Sequence, residues 1–134
     1  MIAAKDLAIG NWVYDGERTQ FPMFVQTIAD DYVYLNFEGN EADPWESTPE
    51  ELQGIPLTAE LLEKIGFQFN GTGLWKITKN RLSISINIER NFLFIETFDQ
   101  KWRDNRAWWN DVKFLHQLQN CYRIVARDDL EINL

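Results

Sequence analysis

Side chains that commonly carry enzymatic chemistry are scarce in this sequence of 134 residues. His116 is the only histidine and Cys121 the only cysteine, so the chain cannot form an internal disulfide or a closed Cys/His zinc site. His116 falls outside the apolar stripe of a helical segment. We therefore expect a solvated surface histidine, with a role as general base the less favoured alternative. Cys121 lies on that stripe, where burial predicts a raised thiol pKa and a packing role.

Carboxylates are abundant, but their spacing matches no dedicated metal loop. The densest group is expected to be solvated and consists of Glu38, Glu41, Asp43 and Glu46. A separate pair, Glu96 and Asp99, would suit acid–base catalysis only inside a concave pocket that raises a pKa. We therefore predict no catalytic residue, no metal site and no cofactor, and a carboxylate-based enzyme is the least favoured alternative.

Residues 101–111 combine three tryptophans with three cations in one segment. Trp and Arg are enriched at binding hot spots, and both stack on bases or sugars. The predicted binding residues are Trp102, Arg103, Arg106, Trp108 and Trp109. The alternative is that Trp108 and Trp109 fill the gap between a sheet and the C-terminal helix, which is the commoner environment of large aromatic side chains.

The net charge of -8 is unevenly distributed along the chain. Residues 1–66 carry three basic and thirteen acidic side chains (3 - 13 = -10), whereas residues 67–134 carry ten and eight (10 - 8 = +2). An acidic surface repels phosphate backbones, which disfavours nucleic acid as a partner. Two alternatives stay open: base stacking by the Trp/Arg segment, and imitation of DNA by the acidic half.

Hydrophobic residues make up 45% of the chain, which is enough apolar surface for a folded core. No apolar run approaches the ~20 residues that a membrane-spanning helix needs, and the N-terminal residues lack the pattern of a secretory signal. We expect a cytoplasmic protein that does not bind membranes.

The pattern of the first half predicts an antiparallel β-meander. Segments 11–14, 22–29 and 32–37 are rich in β-branched and aromatic residues, with Asp15-Gly16 and Asp30-Asp31 as turn signals. Closure into a small SH3-like barrel is one form that this meander can take. Residues 38–54 are acidic and rich in Gly and Pro, which predicts a loop or linker.

Helix signals and strand alternation dominate the second half. Thr58 is a suitable N-cap for a short helix over 59–65. Strands are expected over 74–78, 82–88 and 92–98, and apolar residues from Phe114 to Val125 recur at helical spacing. The predicted fold is α+β, with a β-meander lobe over 1–54 and an α+β lobe over 55–134, together forming one compact unit.

Three short motifs carry a resemblance to a known group of proteins. They are Ile9-Gly10-Asn11-Trp12-Val13-Tyr14, then Ile55-Pro56-Leu57-Thr58 followed by Ile65-Gly66-Phe67, and Phe114-Leu115-His116-Gln117-Leu118-Gln119-Asn120. With these motifs the chain resembles a family of small uncharacterised proteins encoded by Bacteroides-type gut bacteria and by their phages or mobile elements. The resemblance implies a biological setting and no particular activity.

These observations favour a small interaction or accessory protein without catalytic activity. Its binding surface is expected to be the Trp/Arg segment or an exposed face of the meander. A protein partner is expected, with nucleic acid as the alternative, and a symmetric dimer through the meander edge is a further possibility.

Overall fold

The β-rich segments form two antiparallel sheets of five strands each, accompanied by two α-helices, and this confirms the predicted α+β class. The structure is a computed structural model that describes residues 2–16, 19–79, 81–97 and 105–134. Two compact units are present: residues 1–56 with 114–120, and residues 57–113 with 121–134. Whether the chain behaves as the two lobes expected from the sequence stays a prediction.

The first unit contains the predicted meander and confirms it. Its strands are β1 (Trp12–Gly16), β2 (Thr19–Ile28), β3 (Val33–Asn36), β4 (Trp45–Ser47) and β5 (Gln53–Gly54), in the order β4-β3-β2-β1-β5. Alternate residues of the strands face one core because side chains of a strand point to opposite faces in turn. The buried core residues are Ile2, Val13, Met23, Val25, Val33, Leu35 and Leu52.

The prediction of a loop or linker over residues 38–54 is wrong for its second half. This stretch supplies the edge strands β4 and β5 and a 3-10 helix, Pro49–Glu51, between them. Leu52 is fully buried in the core. Strands of two or three residues are too short to show a period of two, so their pairing with β3 and β1 decides the structure.

The first sheet is open among the residues that the structure describes. β4 and β5 lie at its two edges, and each pairs with one neighbour only. The barrel closure considered from the sequence is therefore not seen in this part of the chain.

The second unit begins with the predicted short helix and continues as a sheet. Its elements are α1 (Ala59–Lys64), β6 (Gln68–Phe69), β7 (Trp75–Lys79), β8 (Leu82–Asn87), β9 (Phe92–Thr97) and β10 (Asn105–Trp109). The strand order is β10-β9-β8-β7-β6. Oγ1 of Thr58 accepts the backbone N–H of Leu61 at 3.1 Å, which confirms the predicted N-cap.

Both faces of the central strand β8 are buried, although apolar and polar residues alternate along it. Ile84 and Ile86 are buried on one side, and Ser83 and Ser85 on the other. Small serine side chains lie beneath larger neighbours such as Phe94, which is paired with Ser85 in β9. Alternation of apolar and polar residues thus identified the strand but not the burial of its polar face.

Residues 105–109, for which the sequence predicted no strand, form the edge strand β10 against β9. The five residues Asn-Arg-Ala-Trp-Trp show no alternation of apolar and polar side chains, so tertiary pairing determines the conformation. The C-terminal helix α2 (Leu115–Ala126) agrees with the predicted stripe. No helix within the described ranges has the length and apolar character needed to cross a membrane.

Candidate functional site

The structure describes three of the five residues of the predicted Trp/Arg site. Trp102 and Arg103 lie outside the described residues. Arg106 occupies the register position opposite Glu96, Trp108 is opposite Phe94, and Trp109 is opposite Leu93. Since successive residues of a strand point to opposite faces, Trp108 and Trp109 do not belong to one binding surface.

Trp108 belongs to an aromatic cluster on one face of the second sheet. Its ring centroid lies 4.7 Å from that of Phe94 and 5.7 Å from that of Phe92. The Trp108 side chain is nevertheless 54% exposed, whereas Trp109 is half-buried on the other face. Trp108 is therefore the more exposed of the two described tryptophans of the predicted site.

A second exposed aromatic surface lies on the meander. It consists of Phe21, Phe37 and Trp45, which are 48%, 37% and 57% exposed, and we call it the meander patch. The rings of Phe21 and Phe37 meet edge to face with centroids 5.3 Å apart. Trp45 pairs with the core residue Leu35 across β3 and β4, so its side chain is on the same face of the sheet as the core.

Strand position explains why these rings are exposed. Phe21 has the same parity along β2 as the buried Met23 and Val25, and Phe37 follows β3 with the parity of Leu35. The face of the sheet that carries the core therefore continues beyond the last core residues. At that end, the described chain leaves Phe21, Phe37 and Trp45 partly exposed. Exposed apolar surfaces of this kind frequently mark interaction sites.

A network of amide side chains orders the loop between Phe37 and Trp45. Nδ2 of Asn40 donates to Oδ1 of Asn36 at 2.8 Å, and Oδ1 of Asn40 accepts the backbone N–H of Ala42 at 3.0 Å. Nδ2 of Asn36 in turn donates to Oε1 of Gln26 at 2.9 Å. Hydrogen bonds of this local type replace regular secondary structure in turns, so the loop has a defined path beside the meander patch.

The surroundings of the meander patch are strongly acidic. Glu38, Glu41, Asp43 and Glu46 are all exposed within or beside the ordered loop. Residues 19–63 as a whole contain ten Asp or Glu and no Lys, Arg or His. The patch therefore combines apolar rings with a negative potential that attracts basic groups.

The expectation of a solvated His116 is wrong, because its side chain is only 4% exposed. The imidazole stacks on the ring of Phe114 with centroids 5.8 Å apart and planes at 13°. Helical periodicity placed His116 away from the apolar stripe, but it could not show that residues from the start of the chain lie beside the first turn of α2. Burial of this kind depends on contacts distant in sequence.

His116 borders a small cleft in the first unit. The cleft has a volume of about 180 Å³ and is also lined by Ile2, Asp6, Gly54 and Gln117. Burial lowers the pKa of His116 from 6.5 to about 4, and the negative charge of Asp6 only partly opposes that effect. Nδ1 has no hydrogen-bond partner among the described residues. The imidazole is consequently neutral at pH 7.

Cys121 is buried on α2, as the sequence predicted. Burial raises the pKa of its thiol to about 12, which keeps it protonated at neutral pH. A nucleophilic role for this thiol is therefore disfavoured by its protonation state and its inaccessibility.

The carboxylate pair considered for catalysis is only half described. Glu96 is half-buried in β9, and Asp99 lies outside the described residues. Within the described ranges, no three His, Cys, Asp or Glu side chains are grouped as metal ligands would be.

The sequence-based prediction includes Trp108 but does not group the residues of the meander patch. Phe21, Phe37 and Trp45 come from three segments, and only the strand register brings them to one end of the sheet. One hint of this patch in the sequence was Trp45, a large aromatic residue within an acidic, Pro-containing stretch that was expected to be a loop. Comparison with protein-family models, with curated proteins and with solved structures finds no match to this chain.

Proposed function

We propose that this chain is a small protein-interaction module that binds a basic protein partner through the meander patch. The observation that carries the proposal is the exposure of Phe21, Phe37 and Trp45 at one end of a sheet face, beside an ordered acidic loop. Large aromatic side chains dominate the energetics of protein interfaces because they bury much area with little loss of rotamer entropy.

Charge defines the partner class. The carboxylates around the meander patch raise the association rate of a positively charged surface and repel nucleic acid. A DNA-binding protein is one such basic partner, so imitation of DNA by the acidic half is a special case of the same proposal. Binding to such a partner is expected to weaken as the salt concentration rises.

Three further expectations from the sequence belong to this proposal. The chain acts in the cytoplasm, its meander has the antiparallel strand pattern of SH3-like modules, and it is a member of the Bacteroides and phage family that its three short motifs resemble. Each is supported by the sequence patterns alone.

The test is affinity capture from a nuclease-treated lysate of a Bacteroides-type bacterium. The tagged wild type is compared with the Phe21→Ser, Trp45→Ser double variant and with Ile124→Ser, a control that alters an exposed apolar residue in the second unit. We expect a basic protein to be retained by the wild type and by the control. The double variant should lose it, because removal of an interface hot spot weakens affinity by about thirtyfold or more.

Charge is tested separately with the Glu41→Lys, Asp43→Lys variant. Its association with the captured partner should be slower and less sensitive to salt than that of the wild type. Two results would contradict the proposal. One is that the double aromatic variant retains the same partner. The other is that the wild type captures only nucleic acid from a lysate that has not been treated with nuclease.

The nucleic-acid alternative has one supporting observation, the exposed ring of Trp108 on the less acidic second half of the sequence. A Trp108→Ala variant that loses salt-dependent binding to single-stranded oligonucleotides, while Trp45→Ser retains it, would favour that alternative.

A further inference from the structure

A groove in the second unit is formed by residues that do not belong to the meander patch. Its volume is about 450 Å³, and it is lined by Glu63, Gly66, Phe67, Gln68, Phe69 and Trp75. Aromatic side chains with a few polar groups in a concave surface are the usual composition of a ligand site. The lining contains one carboxylate and no basic side chain.

Two aromatic rings form an angled wall of this groove. Phe69 and Trp75 are directly paired across β6 and β7, with ring centroids 5.3 Å apart and planes at 42°. Phe69 lies in the short edge strand β6, and its side chain is 54% exposed. Phe69 and Trp75 therefore both present aromatic surface to the groove.

The hairpin holds the two rings in place. Oδ1 of Asn70 accepts the backbone N–H groups of Thr72 at 2.8 Å and Leu74 at 3.1 Å, and the backbone N–H of Asn70 donates to the carbonyl of Leu74 at 2.9 Å. These bonds fix the turn that joins β6 to β7. A preorganised pair of rings loses little conformational entropy when a ligand binds.

Glu63 is placed beside the rings by the end of α1. The backbone N–H of Gly66 donates to the carbonyl of Glu63 at 3.1 Å, and Gly66 has a φ of +105°. This left-handed residue ends the helix and turns the chain so that Phe67 enters the core, while Glu63 remains exposed at the groove. The carboxylate thus lines the same concave surface as Phe69 and Trp75.

We propose that this groove binds an alkylammonium group, quaternary or N-methylated. The faces of aromatic rings carry partial negative charge and attract cations, and quaternary ammonium recognition commonly uses several rings together with an acidic side chain. Glu63 supplies the counter-charge and repels anions. This inference does not depend on the proposed role of the meander patch, since none of its residues belong to that patch.

The test is an NMR titration of the full chain with tetramethylammonium chloride, following the indole N–H of Trp75 and the backbone N–H of Gly66. A Trp75→Phe variant identifies the indole signal. We expect saturable shifts with a dissociation constant in roughly the millimolar range. tert-Butanol, a neutral molecule of similar shape, should cause much smaller shifts at equal concentration.

Variants separate the contributions of the rings and of the charge. Phe69→Ala should weaken binding about tenfold, and Glu63→Gln about two- to fivefold. Glu60→Gln, an exposed carboxylate in the first turn of the same helix, is the matched control and should bind as the wild type does. Each variant must retain the spectrum and thermal midpoint of a folded chain.

Choline and N-trimethyllysine amide, titrated in parallel, distinguish a free organic cation from one carried on a peptide. The compound that binds more tightly to the wild type, and loses that advantage in Phe69→Ala, identifies the source. Linear, non-saturating shifts, an equal response to tert-butanol, or equal losses in Glu60→Gln and Glu63→Gln would overturn the proposal.

Discussion

The side-chain amide of Gln119 hydrogen-bonds the backbone at Trp12 in the way that a neighbouring strand would. Its Oε1 accepts the Trp12 N–H at 2.8 Å, while its Nε2 donates to the carbonyl of Gly10 at 3.0 Å. β5 pairs with β1 only at Val13 and Tyr14, so the helix residue completes the edge of β1 where β5 ends. The adjacent Asn120 hydrogen-bonds the side chain of Asn11 at 2.9 Å. The start of α2 is thereby fixed to the N-terminal segment.

Replacement of Gln119 by leucine should destabilise the chain by about 1–3 kcal/mol, because the N–H of Trp12 and the carbonyl of Gly10 both lose their partner. Urea unfolding monitored by circular dichroism gives the difference in the free energy of unfolding. Gln119→Glu is the informative comparison, since it keeps the acceptor for Trp12 and removes the donor to Gly10. A Leu variant as stable as the wild type would show that water satisfies these groups.

The side chains of Gln119 and Asn120 also show what could not be predicted from the sequence. The apolar stripe of α2 and the β-branched and aromatic composition of β1 were readable from residue types alone, and both elements were predicted. Gln119 and Asn120 look like ordinary solvated residues of an amphipathic helix. Their role depends on contacts more than 100 residues apart in sequence, for which periodicity contains no information.

The same limitation explains the outcomes at the candidate sites. Trp108 was predicted as a binding residue because residues 101–111 combine three tryptophans with three cations, but only the register of β10 shows that Trp108 and Trp109 face opposite sides. His116 was assigned to solvent from its angle on the helix, yet the N-terminal residues beside it are brought there by tertiary structure. Composition and local pattern identify elements, whereas burial and the grouping of side chains from different elements require the structure.

Acidification should destabilise the chain through His116. Its pKa is about 4 in the folded chain and about 6.5 when unfolded, so between these values the unfolded state binds more protons. Stability from this residue is complete above pH 6.5 and is lost as the pH falls towards 4, with a limit of roughly 3 kcal/mol. Urea unfolding at a series of pH values between 7 and 4 measures the effect.

The matched variant for this measurement is His116→Phe, which retains a ring that can stack on Phe114 and does not titrate. Its stability should decrease less than that of the wild type over the same pH range. Parallel curves for the two proteins would show that carboxylates, and not His116, cause the acid sensitivity.

Cys121 should react slowly with thiol reagents while the chain is folded. A rise in its pKa to about 12 lowers the thiolate concentration about a thousandfold relative to an ordinary thiol with a pKa of 9.0, and its burial blocks access. Iodoacetamide labelling at pH 8, followed by mass spectrometry, gives the rate with and without 8 M urea. Labelling of the folded chain at the rate of the unfolded one would contradict the buried position of this thiol.

Position 54 requires glycine because β5 passes close to the ring of Phe114, the residue that precedes α2. A methyl group at this position would lie 2.5 Å from Cγ and 2.9 Å from Cβ of Phe114, which is too close for any carbon–carbon contact. Gly54→Ala should therefore force Phe114 or β5 to move and destabilise the chain by about 1–3 kcal/mol. Thermal or urea unfolding provides the measurement.

The control is Gly16→Ala in the same sheet, where the added methyl group would be 3.4 Å from the carbonyl oxygen of Glu51 and needs little adjustment. The Gly54→Ala, Phe114→Ala double variant removes the contacts with the ring and keeps only the 2.9 Å approach to Cβ of residue 114. If the clash is the cause, Gly54→Ala should destabilise the chain less in the Phe114→Ala background than in the wild type. Equal effects in the two backgrounds would instead show that the ring of Phe114 is not the cause of the loss.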